Sequence, residues 1–149
     1  MHHCTFELNE EPISTFEITG FSFPAFSGIG NHINKKLYSC LPDLGAISPG
    51  TYYIVDRQSG GRLGWLWDRV LRHQDWFALY AADGRIDDET FCANVRRGNF
   101  RLHSGTLSKG CITIIDPADF NVIKAMLRAD RGSLIPGTDI RFYGEVLVE

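Results

Sequence analysis

The chain has 149 residues, of which 44% are hydrophobic and 22% charged, with 15 glycines. That is the size and composition of one globular, turn-rich domain over residues 1–149, and it excludes a disordered chain. Fifteen Lys and Arg against 18 Asp and Glu give a formal charge of -3. The basic residues stand singly or in pairs such as Lys35-Lys36 and Arg96-Arg97, so nucleic acid is not an expected partner. No apolar run approaches the ~18 to 20 residues of a membrane-spanning helix. Met1 to Glu10 lacks the pattern of a secretory signal, so the expectation is synthesis in the cytoplasm and, if exported, a route that reads no such signal.

Along the chain, Thr5 to Asn9 and Ile13 to Thr19 alternate apolar and polar residues around Asn9-Glu10-Glu11-Pro12, which predicts an opening hairpin. Phe21, Phe23 and Phe26, interrupted by Pro24, predict an irregular extended segment entering a loop. Pro49-Gly50 turns into a β-prone run, Thr51 to Val55. Leu63 to Arg72 has the spacing of one or two helical turns. Trp76 to Tyr80 and Phe100 to His103 predict core strands, and the three acids Asp87-Asp88-Glu89 a solvated turn. The clearest helix lies around 117–130: Asp116 caps it, Pro117 suits its first position, Phe120, Ile123 and Leu127 share one face, and Gly132 stops it. Pro136-Gly137 then turns into a closing strand, Ile140 to Val148.

The chemistry concentrates in Phe100 to Ile115. A β-run carries His103, a Gly- and Ser-rich loop follows, and Cys111 opens another β-run eight positions after the histidine. Such a loop can fold back to set imidazole against thiol. A free thiol has a pKa of ~8.5 and is only a few per cent thiolate at neutral pH, whereas an imidazolium alongside lowers that value. Gly110, immediately before the cysteine, permits a tight turn that presents backbone N–H groups to a developing oxyanion. The four cysteines form no C-x-x-C pair and no Cys or His cluster has zinc-ligand spacing, so neither a metal nor another cofactor is expected. Cys4, Cys40 and Cys92 read as packing residues or, after export, disulfide partners. Arg57, ahead of Ser59-Gly60-Gly61, is a candidate carboxylate clamp as well as an ordinary turn arginine. Tyr53, Trp65 and Trp67 are candidates for a groove wall or for core.

Ser108-Lys109-Gly110-Cys111-Ile112 resembles the Ser/Thr-His-Gly-Cys element of L,D-transpeptidase catalytic domains at four of five positions, with Lys109 where that family usually has a second histidine. The His-to-Cys loop is also shorter here. Both departures resemble the type VI secretion effectors related to L,D-transpeptidases. Phe26-x-Ser-Gly, Pro49-Gly-Thr-Tyr-Tyr-Ile-Val, Arg57-Gln-Ser-Gly-Gly and Trp76-Phe-Ala-Leu-Tyr extend the resemblance over roughly residues 5 to 145. It implies a mainly β fold, a sandwich or open barrel with one peripheral helix. It also implies Cys111 as nucleophile, His103 as general base, and Ser104 orienting the imidazole through its backbone carbonyl. The N–H groups of Gly110 and Cys111 would form the oxyanion hole, and Ser108 and Lys109 would line the pocket.

The activity so implied is cysteine acyl transfer on peptidoglycan stem peptides, as an L,D-carboxypeptidase or L,D-transpeptidase. The expected partners are a cognate immunity protein and a component or adaptor of the secretion machine, and the expected place of action is a target cell's periplasm. Two other readings stand beside it: a non-catalytic β domain binding cell wall or protein, and a cysteine peptidase or amidase of different bond specificity.

Overall fold

The computed structural model describes residues 1–57 and 76–149. The helical turns expected between Leu63 and Arg72, with Trp65 and Trp67, lie outside the described residues. Eleven strands are present among the described residues: β1 His2–Phe6, β2 Ser14–Ile18, β3 Phe21–Phe26, β4 Gly50–Asp56, β5 Phe77–Ala81, β6 Glu89–Cys92, β7 Val95–Gly98, β8 Arg101–Ser104, β9 Ile112–Ile114, β10 Ser133–Leu134 and β11 Arg141–Val148. One α-helix is present among the described residues, α1, Pro117–Ala129. The mainly β architecture with the expected peripheral helix is present among the described residues.

Strand order in the main sheet is β1-β2-β3-β9-β8-β5-β4-β11-β10, and β1 also pairs with β11. That last pairing is parallel, Cys4 opposite Val146 and Phe6 opposite Val148, and it closes eight strands into a barrel. Closure removes the sheet edges that would otherwise expose unpaired backbone. The alternation read from sequence is what fills the barrel: Ser14, Phe16 and Ile18 of β2 point inward while Thr15 and Glu17 face out. Phe6, Phe16, Ile54, Leu102, Ile112 and Ile114 are fully buried in one cluster.

Phe21–Phe26 is a regular strand, not the irregular segment its proline suggested. Its pairing with β9 involves only Ala25 and Phe26, and the Pro24 carbonyl accepts from Ile115 N–H at 3.2 Å, so the proline turns its nitrogen toward Ile115, just past the end of β9, and the β2–β3 ladder loses no bond. The helix follows local chemistry: Asp116 accepts from the Ala118 N–H at 2.9 Å, Pro117 opens the first turn, and Phe120, Ile123 and Leu127 are buried. Burying three such side chains contributes about 1.5–3 kcal/mol each. Phe120 meets Phe77 of β5 edge to face at 6.4 Å.

The hairpin β6–β7 was not foreseen. Its two-residue turn, Ala93 and Asn94, has φ of 48° and 67°. Both residues adopt the left-handed region that such turns require, although Ala-Asn carries little of the usual sequence signal. The hairpin is tethered by a disulfide between Cys40 and Cys92, 52 positions apart. Cys4 is instead buried and unpaired, and burial pushes its thiol up to about 12. Replacing Cys40 and Cys92 together with serine is expected to destabilise the fold by about 4 kcal/mol, the loop-closure effect for a crosslink of this span. Thermal unfolding should record a fall in Tm of roughly 10 °C. An unchanged Tm would show that the crosslink does not constrain the unfolded chain.

Candidate active site

β8 and β9 run parallel, with Leu102 opposite Ile112 and His103 opposite Thr113. Extending that register by one residue puts Arg101 alongside Cys111. Because side chains alternate along a strand, Arg101 and His103 leave the same face of β8 as Cys111 does from the start of β9. Strand geometry places the Cα atoms of His103 and Cys111 roughly 8 Å apart, within reach of an imidazole and a thiol. Both side chains line one groove of about 500 Å³, together with Arg57, Trp76, Arg101 and Lys109.

The histidine is held from two sides. Its Nδ1 lies 2.9 Å from the backbone oxygen of Ser104. A carbonyl can only accept, so Nδ1 carries the proton of this bond, and in the neutral ring Nε2 is the basic nitrogen. Trp76 stacks on the ring at 4.1 Å between centroids and 17° between planes. Arg57 lies over the same indole at 5.4 Å. Ring plane and tautomer are therefore both set by neighbours.

The turn before Cys111 depends on Gly110, which has φ of 106°. A Cβ there would stand 2.5 Å from Arg97 Nη2 and 2.9 Å from the Phe100 ring. Ser108 stands behind this turn and does not line the groove as expected. It is 1% exposed, donates to the Cys111 carbonyl at 2.7 Å and accepts from Gly28 N–H at 3.1 Å. A hydroxyl at that place satisfies backbone groups the tight turn leaves unpaired, so its contribution is to loop shape. Lys109 does line the groove, and also a second, polar cavity of about 260 Å³ beside it.

Burial raises the Cys111 thiol above its ordinary value. Backbone N–H groups of Arg101 and Lys109 and the Arg101 charge oppose this without overcoming it. Burial there favours the protonated sulfur over its thiolate.

Tyr53 packs edge to face on Phe142 at 4.9 Å in a separate apolar cluster, away from the groove. The acids read as a solvated turn divide: Asp87 accepts from the Glu89 N–H, whereas Asp88 is a partner of Arg101. Trp76, Arg101 and Asp88 were not singled out as site residues from the sequence. For Arg101 a signal existed, because a residue two places before a candidate base on a strand shares its face. Among the described residues no group of three His, Cys, Asp or Glu side chains could hold a metal ion, and no helix is long and apolar enough to cross a membrane.

The fold and the groove together define a class: an eight-stranded barrel that presents an oriented histidine and a cysteine on adjacent strands. The family model of the Tlde1 domain matches residues 22–138, and the chain belongs to that family, the type VI L,D-transpeptidase-like effectors. No curated protein and no solved structure matches it.

Proposed function

We propose that this effector is a cysteine acyl-transfer enzyme acting on peptidoglycan stem peptides. Cys111 attacks the carbonyl of the third stem residue, a diamino acid of L configuration at the reacting centre, as His103 Nε2 takes the thiol proton. The tetrahedral oxyanion is met by the N–H groups of Gly110 and Cys111. Collapse expels terminal D-alanine, whose amine receives the proton from His103, and leaves a thioester. Water resolves the thioester to the shortened stem, an L,D-carboxypeptidase outcome. The amine of a D-amino acid or of another stem resolves it by exchange or cross-linking.

The observation that carries this reading is the Ser104 carbonyl on His103 Nδ1, since it fixes the tautomer in which Nε2 is the basic nitrogen, in the groove that holds Cys111. Lys109 and Arg57 supply cationic groups for substrate carboxylates along that groove. The family points to an immunity protein and to a secretion component or adaptor as partners, and to the target periplasm as the site of action.

Mass spectrometry of muropeptides after digestion tests the bond. Loss of D-alanine from tetrapeptide stems is the expected result, and release of whole stems from sugar would indicate an amidase. Expression with an added secretory signal is expected to lower viable counts by at least ~10²-fold relative to the form without it, because substrate lies outside the inner membrane and the polar chain does not cross it unaided. Equal toxicity of the cytosolic form would point to another target.

A further inference from the structure

Arg101 lies beside the cysteine in the β8–β9 register and two residues before His103, and its side chain is 14% exposed. Its guanidinium is committed on two sides. Nη1 and Nη2 donate to Asp88 Oδ1 and Oδ2 at 2.9 and 2.7 Å, and Nη1 also donates to the Phe100 carbonyl at 2.9 Å. This bidentate fork fixes the position of the charge as well as its existence. Asp88 is itself placed by backbone: its carbonyl accepts from the Asn99 N–H at 3.1 Å and passes 2.2 Å from where a Cβ of Gly98 would be, so only glycine admits it.

Other charged groups face the cysteine from the elements around it. Lys109 precedes it in the loop, His103 shares β8, and Arg57 and Asp43 line the same groove. Arg97 of β7 lies under Gly110, where its guanidinium donates to the carbonyls of Ser39, Ala46 and Gly45. Arg101 differs from these in combining a locked geometry, a carboxylate partner and a place in the register next to the sulfur. Its charge draws the thiol's pKa down, and the charge of Asp88 pushes it up by a smaller amount.

We propose that Arg101 is an electrostatic positioning residue for Cys111, stabilising the sulfur as it becomes anionic, and that Asp88 both aims the guanidinium and damps its field. The proposal rests on Cys111 being the nucleophile. It makes the two members of one ion pair act with opposite sign on the same thiol.

The test is the pH dependence of iodoacetamide labelling of Cys111 in the full chain, read by mass spectrometry of the peptide that carries it. Arg101→Gln is expected to move the inflection to higher pH and to lower kcat on the order of tenfold with little change in KM, the rate equivalent of losing one nearby charge. Asp88→Asn is expected to move the inflection to lower pH. Arg101→Lys keeps the charge without the fork and should recover part of the shift; with Asp88→Asn it also carries the test if Arg101→Gln does not fold. Shifts of the same sign in the Arg101 and Asp88 variants, or no shift in either, would overturn the proposal. Labelling reads the sulfur without turnover, so a Cys111→Ala protein that still released D-alanine would reject the nucleophile while the opposed shifts remained measurable.

Discussion

Replacing Cys111 with alanine is expected to lower D-alanine release by roughly 10³-fold or more, because on the proposed mechanism this residue forms the covalent intermediate. The fold should survive. Cys111 lies at the groove wall, outside the buried cluster that fills the barrel, and Ser108 holds the backbone of its turn by donating to the Cys111 carbonyl. Circular dichroism and a thermal melt matching the wild type would verify this, and activity persisting in such a protein would end the assignment. Cys4 cannot take over. It is 3% exposed, on β1, and its thiol is pushed up to about 12.

Replacing His103 with alanine is expected to lower turnover by about 10²- to 10⁴-fold, the range for loss of a positioned general base. The sign of the accompanying pH effect follows from Cys111. For a thiol the charged form is the deprotonated one, so burial that disfavours charge raises the pKa and favours the protonated sulfur. The alkylation inflection of wild-type Cys111 should therefore lie above the ~8.5 of a free cysteine. In His103→Ala it should stay on that side while turnover collapses, because on the proposed mechanism the histidine removes the proton only during attack. A wild-type inflection well below ~8.5 that rises when His103 is removed would show a resting thiolate–imidazolium pair instead.

These two expectations draw on different depths of the sequence. The helix Pro117–Ala129 was legible because everything that makes it is local: a cap, a proline at the first position, and apolar residues three and four apart. The hairpin β6–β7 was not, because its turn takes left-handed backbone from Ala93 and Asn94, which announce it weakly. The strand at Phe21–Phe26 was obscured by Pro24, whose effect depends on which neighbour needs its N–H.

At the site, His103, Gly110 and Cys111 could be proposed from residues within nine positions of one another, Ser104 from the family resemblance, and Lys109 and Arg57 from their charge. Sequence by itself determined a β-rich chain, one capped helix and a histidine and cysteine at the ends of facing strands, since periodicity and turn chemistry are short-range signals. Only the tertiary structure decided what each face meets. It stacks Trp76 on His103 across 27 positions, joins Cys40 to Cys92 across 52, sets Asp88 on Arg101, and closes β1 against β11. A polar or aromatic partner that far away imposes no period on the chain, and burial, which raises the Cys111 thiol, is a property of the surrounding atoms and not of its neighbours in sequence.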